Sequence, residues 1–250
     1  MKIASRILLL FIIIFIFSIH TCAITNDVDV EEFSIHEMNT LMENITIEKT
    51  QTIPKQLEIN CFDVNSKNMI AIGLSNLETK YIAIYTKEGE YRYAFKFSSS
   101  GDFGLKWDEN NLVIFFIRSD VVIKIDETGN ILNAYKLKDT LQNQEYIRNV
   151  VFSKSKTRNE VRYFADTASI FSTGYSQLIA KDIKSNDAKI IYDVTSFSLI
   201  KDIMKVISSA LLFIGGGVAI KKSRNKTEKS GRSETTEKDQ NNTGDGSLCS

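Results

Sequence analysis

Tyr81-Ile82-Ala83-Ile84-Tyr85-Thr86-Lys87-Glu88-Gly89 is followed, after Glu90, by Tyr91-Arg92-Tyr93-Ala94-Phe95-Lys96-Phe97, and the chain then says the same thing again. The second version is Val121-Val122-Ile123-Lys124-Ile125-Asp126-Glu127-Thr128-Gly129, followed after Asn130 by Ile131-Leu132-Asn133-Ala134-Tyr135-Lys136-Leu137. Gly89 aligns with Gly129, Ala94 with Ala134 and Lys96 with Lys136, at a constant spacing of 40 residues. Each version is a β-rich apolar run, a short polar turn ending in Gly, and a second β-rich run. Tyr, Ile, Val and Phe suit a pleated, half-buried surface. A turn ending in Gly fits a three-residue hairpin loop whose last residue is left-handed.

The likeness extends upstream. Phe62-Asp63-Val64 leads through a polar turn into Met69-Ile70-Ala71-Ile72-Gly73-Leu74, and Gly104-Leu105-Lys106-Trp107 leads through Asp108-Glu109-Asn110 into Leu112-Val113-Ile114-Phe115-Phe116-Ile117. A third copy runs from Val150-Val151-Phe152-Ser153 through Val161-Arg162-Tyr163-Phe164 and Leu178-Ile179-Ala180-Lys181-Asp182-Ile183 to Lys189-Ile190-Ile191-Tyr192. Its turn, Lys184-Ser185-Asn186-Asp187, replaces Gly with Asn and Asp, the next most tolerant residues for positive φ. The expectation is an all-β domain over residues 56–194, made of about three four-stranded antiparallel units. Continuous apolar runs such as 69–74 predict strands covered on both faces. The fourth strands, 91–97 and 131–137, carry Arg92, Lys96 and Lys136, charges that suit an exposed sheet edge. Residues 138–149 are richer in helix formers and predict a short helix between the second and third units.

These strand-turn-Gly-strand units and the apolar strands before them resemble β-propeller blades of the kind found in six-bladed and NHL-like extracytoplasmic sensor domains, and their period lies in the blade range. The resemblance covers a little over half the chain. It implies a platform for binding, with no cofactor and no catalytic residues. Three units are fewer than the 4 to 8 blades of a closed propeller, so an open stack, closure by association of chains, and capping by the flanking segments all stand as arrangements.

The flanks predict membrane attachment. Residues 1–23 have a positive start at Lys2 and Arg6, an apolar core, and the small residues Thr21-Cys22-Ala23, the three parts of a secretory signal; an uncleaved signal anchor is the alternative. Residues 24–55 are acidic and poor in aromatics, and read as a flexible stalk with a short helix around residues 30–43. Residues 200–220 read as a single transmembrane helix, because Val206 to Ile220 carry no charge and Lys221, Lys222 and Arg224 follow as a cytoplasmic stop. Gly215 and Ala219 form a small-xxx-small pair through which the helix could make a homo-oligomer. Residues 221–250 are polar throughout and read as a disordered cytoplasmic tail.

Little chemistry is on offer. The formal net charge is zero, which argues against a nucleic-acid partner. His20 lies in the signal and His36 in the stalk, so the β domain has no His for a triad or general base. Of three cysteines only Cys61 falls in the β domain, which leaves no intramolecular disulfide there and no metal cluster. Asp102, Asp108, Asp126 and Asp182 are the carboxylates a hydrolase would draw on. Asp108, Glu109, Tyr91 and Tyr93 are the contact candidates of a recognition surface. The expected function is a membrane-anchored extracytoplasmic binding or sensing module, not an enzyme, whose partner is a protein or envelope ligand. A structural subunit of an envelope complex is the alternative, and a carboxylate-based hydrolase is a third reading.

Overall fold

The computed structural model describes residues 27–76, 78–167 and 174–207. In chain order they form β1 (Val30–Glu32), α1 (Ile35–Asn44), β2 (Glu48–Thr50), β3 (Ile59–Val64), β4 (Ile70–Asn76), β5 (Thr79–Tyr85), β6 (Tyr91–Ser98), β7 (Phe103–Asp108), β8 (Asn111–Phe116), β9 (Val121–Ile125), β10 (Ile131–Leu137), α2 (Leu141–Tyr146), a π-helical turn (Ile147–Val151), β11 (Ser155–Arg158), β12 (Val161–Asp166), β13 (Gln177–Asp182) and β14 (Ala188–Asp193). The chain divides into two compact units, Met1–Leu199 and Ile200–Ser250. All strands belong to the first; of the second, residues 200–207 are described and are helical. The expected signal at 1–23, most of the expected membrane helix at 200–220 and the tail at 221–250 lie outside the described residues. Among the described residues no helix is long and apolar enough to cross a membrane.

The repeats become three successive antiparallel sheets, with strand orders β2-β6-β5-β4-β3, β1-β10-β9-β8-β7 and β11-β12-β13-β14. Gly89 and Gly129 occupy the same place in the first two. Their φ angles are +77° and +96°, and their N–H groups close the turn on Thr86 O and Asp126 O. In the third sheet Asn186 takes the left-handed position, with φ +65°.

The first sheet lies in the middle of the apolar packing. One face joins the second sheet through Ile82, Ile84, Phe95 and Phe97 against Phe103, Leu105, Ile114 and Ile123. The other joins the third through Phe62, Ile70, Ile72 and Leu74 with Tyr163, Leu178 and Ile191. This double cover is why Ile70 to Leu74 read as an unbroken apolar run. Each such side chain contributes about 1.5–3 kcal/mol by leaving water. The far face of the second sheet, with Val113, Phe115 and Val122, is covered by Val28, Tyr146, Ile147 and Val151.

The inner strands β3, β7 and β11 meet around Asp63. Its carboxylate accepts the Trp107 N–H at 2.7 Å and pairs with Lys156 Nζ at 2.9 Å. Beside it the Arg158 guanidinium donates to Val64 O. The first hairpin turns of the sheets are also tied together, by Lys67 Nζ to Asn110 Oδ1 and by Asn159 Nδ2 to Ser66 O.

Three expectations are corrected. The segment read as a flexible stalk is instead paired: β1 adds to β10 and β2 adds to β6, each antiparallel. In the ladders Glu31 stands opposite Lys136 and Glu48 opposite Lys96, and the ion pairs Lys136–Glu37 and Lys138–Asp29 tie the segment to the end of β10. The lysines of β6 and β10 therefore do not mark free edges; they receive a fifth strand. Between β1 and β2, α1 is started by a capping box, with Ser34 Oγ accepting the Glu37 N–H and Glu37 Oε2 accepting the Ser34 N–H. Met38 and Leu41 of α1 pack on the core between the first two sheets.

The third correction concerns the third unit. Val150 and Val151 end the π-helical turn, and the first strand is the polar Ser155–Arg158. Val151 is buried against Gly104 of β7, where a Cβ would collide with its Cγ1. Val151 thus plugs the neighbouring sheet while Val150 is exposed, and neither belongs to a strand.

Two stability outcomes follow. Asp63→Ala leaves Lys156 without its buried partner and should cost about 3–5 kcal/mol. Urea unfolding followed by Trp107 fluorescence checks it, and an apolar pair, Asp63→Leu with Lys156→Met, should recover part of the loss. Gly104→Ala should cost about 1–3 kcal/mol by overpacking, measured in the same way.

Candidate functional site

Three of the four carboxylates suggested for catalysis are committed to separate local tasks. Asp126 accepts from Thr128 Oγ1 at 2.6 Å, Thr128 N at 2.8 Å and Asn130 N at 2.9 Å. These bonds, the Thr128 hydroxyl foremost, hold its carboxyl at about 2. Asp182 accepts the N–H groups of Lys184 and Ser185, and the Ser185 bond leads in holding its pKa below the usual range. Asp108 pairs with Lys124. Asp102 turns its backbone carbonyl to Ile117 N. Among the described residues no three His, Cys, Asp or Glu side chains gather as metal ligands. His36 is on α1, and Cys61 is a buried thiol whose ionisation burial pushes far up.

The contact candidates also resolve individually. Glu109 takes φ +55° in the β7–β8 turn. Tyr93 lies under Lys49, whose Nζ is 4.0 Å from the ring centroid. Tyr91 stacks edge-on against Tyr85 at 5.6 Å. Asp108 borders a cavity of about 40 Å³ with Asp27, Lys106, Trp107 and Tyr146, room for a single water. There Lys106 Nζ bonds both Asp27 and the Tyr146 hydroxyl, which pins the first described residues to the second sheet.

The larger concavity was not singled out from the sequence. It is a groove of about 480 Å³ between Ile53, Pro54, Lys55 and Gln56 on one side and Tyr192, Asp193, Thr195 and Phe197 on the other. Its first wall follows β2. Gln56 has φ +75° there, a conformation that costs a non-glycine residue of order 1–3 kcal/mol. The Tyr192 hydroxyl holds that wall by donating to Leu57 O at 2.6 Å, and burial pushes its pKa up. A paired bridge between Ile59 and Tyr175, with both bonds at 2.8 Å, fixes the same wall to the third sheet.

The second wall is the end of β14. The three outer strands match in this part: Ala94-Phe95-Lys96-Phe97, Ala134-Tyr135-Lys136-Leu137 and Ile191-Tyr192-Asp193-Val194. Their registers agree, since Lys96 faces Tyr81, Lys136 faces Val121 and Asp193 faces Gln177. Leu137 N donates to Asp120 O just as Val194 N donates to Ser176 O. The stretches of β6 and β10 are covered by β2 and β1; among the described residues no strand pairs with the outer side of β14. The groove runs along that uncovered stretch. Asp193 there accepts the Thr195 N–H at 2.8 Å and Gln177 Nε2 at 3.0 Å. The Thr195 N–H leads in holding its pKa below the usual range, so it is charged at neutral pH. Nothing in the alternation of apolar residues distinguishes a covered outer strand from an uncovered one. The only available signal was the Asp at the position where the first two units carry Lys.

No protein-family model matches the chain, and no curated protein matches it in sequence.

Acid should loosen this arrangement in a defined window. Glu37 is held at about 2, first by its bond to Lys136 and then by Ser34, and Asp126 likewise at about 2. Both folded values lie below the ordinary 4.5 and 3.8. Their stabilisation is therefore complete above those ordinary values and is lost as pH falls toward about 2. The melting temperature should fall across that window, and Asp126→Asn should shrink the fall. A melting temperature that rises on acidification there would contradict these assignments.

Proposed function

We propose that this chain is a single-pass membrane protein whose β-sheet unit stands outside the cytoplasm as a binding or sensing module. The uncovered edge of β14 with its adjoining groove carries the reading. Binding sites are concave and mostly preformed, with a few polar groups that fix orientation. This groove combines Ile53, Pro54 and Phe197 with the charges of Lys55 and Asp193. Of the carboxylates a hydrolase would need, Asp108, Asp126 and Asp182 are engaged in an ion pair and in turns on different elements, which favours recognition over bond chemistry.

The propeller-like character is part of the proposal. It is supported by three successive antiparallel sheets and by the contacts of β3 with both β7 and β11; the first sheet, rather than the second, lies between the other two. Loops and edges of such scaffolds serve as contact surfaces.

Membrane attachment is supported from the other end. In the helical stretch 200–207, Ile200, Ile203, Met204 and Ile207 are exposed apolar side chains. The apolar sequence continues from there to Ile220 and then meets Lys221, Lys222 and Arg224, the order expected of a span ending on the cytoplasmic side.

Two measurements test the proposal. Protease added to intact cells or spheroplasts should remove the β-sheet unit and spare a tag placed after Ser250; a protected unit with a digested tag would reverse the orientation. A photo-crosslinker at Ser196, on the groove, should give specific adducts with a partner in the envelope, and the same group at Lys87, on a remote turn, should not. Equal labelling from both positions would sink the groove as the binding site.

A further inference from the structure

The first two sheets show what the outer edge of a unit accepts. Each takes a strand of three residues, antiparallel, from the acidic N-terminal segment. In each the incoming strand sets a glutamate opposite the lysine of the outer strand, Glu48 on Lys96 and Glu31 on Lys136. The third sheet has the same strand with the charge reversed. Asp193 stands where the other two have lysine, and among the described residues no strand takes the fifth place, beside the groove.

Taking the β-sheet unit as the binding module proposed above, we infer that the outer edge of β14 is a strand-acceptor site for an extended segment of a partner protein that carries a lysine or arginine opposite Asp193. Val194 N–H turns inward to Ser176 O, so alternation along the strand turns the backbone N–H and C=O of Asp193 outward. Those groups supply main-chain hydrogen bonds to an added strand, and side-chain pockets supply its specificity. The partner's basic residue meets the Asp193 carboxylate. Its neighbours on the groove side are apolar or β-branched, because they pack on Ile53, Pro54 and Phe197. The turn containing Gly89 limits the site at its other end: a Cβ there would touch Ile191 and come within 3.9 Å of Ile190 O. The added strand is therefore short, like β1 and β2. The acidic segment of this same chain does not fit the slot, since its acids would face Asp193.

The test uses the full-length chain purified in detergent and a labelled short synthetic peptide of alternating valine and threonine with one central lysine, with binding followed by fluorescence anisotropy. The lysine peptide should bind saturably. Its glutamate counterpart should bind roughly fivefold or more weakly, the scale of replacing an attractive cross-strand pair by a repulsive one. Methylation of alternate peptide amides, with the side chains unchanged, should abolish binding. Asp193→Asn keeps an acceptor for the Thr195 N–H and should erase the preference for lysine; Asp193→Lys should reverse it. Binding that survives amide methylation, a preference indifferent to both Asp193 variants, or no saturable binding by the lysine peptide would each overturn the strand-acceptor site. The crosslinking at Ser196 separates this from the broader reading. Adducts there with failing peptides would leave a binding module of another chemistry, whereas no adducts and no peptide binding would remove both.

Discussion

A single buried carboxylate, Asp63, holds the inner edges of three sheets to one another. It sits on β3, takes a backbone N–H from β7 and an ammonium from β11. A charge with 4% of its residue surface exposed persists only where paired and hydrogen-bonded, and here both partners come from different sheets. Without that acceptor, the three sheets would still be individually ladder-bonded and would keep their apolar contacts and the bonds of Asn60 to Phe103 O, Arg158 to Val64 O and the hairpin turns, but would lose the one side chain that joins all three. Directional bonds to Asp63 set the register of one sheet on the next. The bonds among the three first-hairpin turns then extend the same alignment outward.

The stacking has a second set of keys at the outer strands. Gly129, in the turn of the second sheet, lies against Phe95 and Ile47 O of the first, and Gly89, in the turn of the first, lies against Ile191 of the third. Each left-handed glycine therefore serves twice: it closes a hairpin and leaves room for the neighbour's outer strand. The repetition at 40 residues is accordingly a repetition of contact as well as of shape. It also explains the lone substitution in the series, because Asn186, in the third sheet's turn, has no further sheet among the described residues to accommodate.

Much of the fold was legible because its elements announce themselves through local chemistry. The glycine turns, the apolar second strands and the break between the second and third units all follow from side chains acting within a few residues of each other. What stayed hidden depended on partners distant in sequence. Glu31 and Glu48 look like components of a solvated stalk until Lys136 and Lys96 are placed opposite them. Ser155–Arg158 has no apolar signature because Lys156 is there for Asp63, and Val150-Val151 has a strand's signature although Val151 serves as a plug beside Gly104 and Val150 is exposed. The groove was invisible for a related reason. Its walls are brought together by Tyr192 reaching Leu57, a contact between chain segments that no periodicity encodes, and only the change from Lys96 and Lys136 to Asp193 hinted at it.

The route of the N-terminal segment imposes an order of events. β1 belongs to the second sheet and β2 to the first, so the chain lays down both strands before either of their acceptors exists. Val30 pairs with Leu137, and Thr50 with Ala94. Contacts of such long separation pay their loop-closure entropy late. During synthesis the segment precedes both acceptors, so it can dock only once β6 and β10 have been made. The third sheet follows both acceptors in the chain, and among the described residues its outer strand is unpaired. An asymmetry that looks like a missing part is thus built into the direction in which the chain is read.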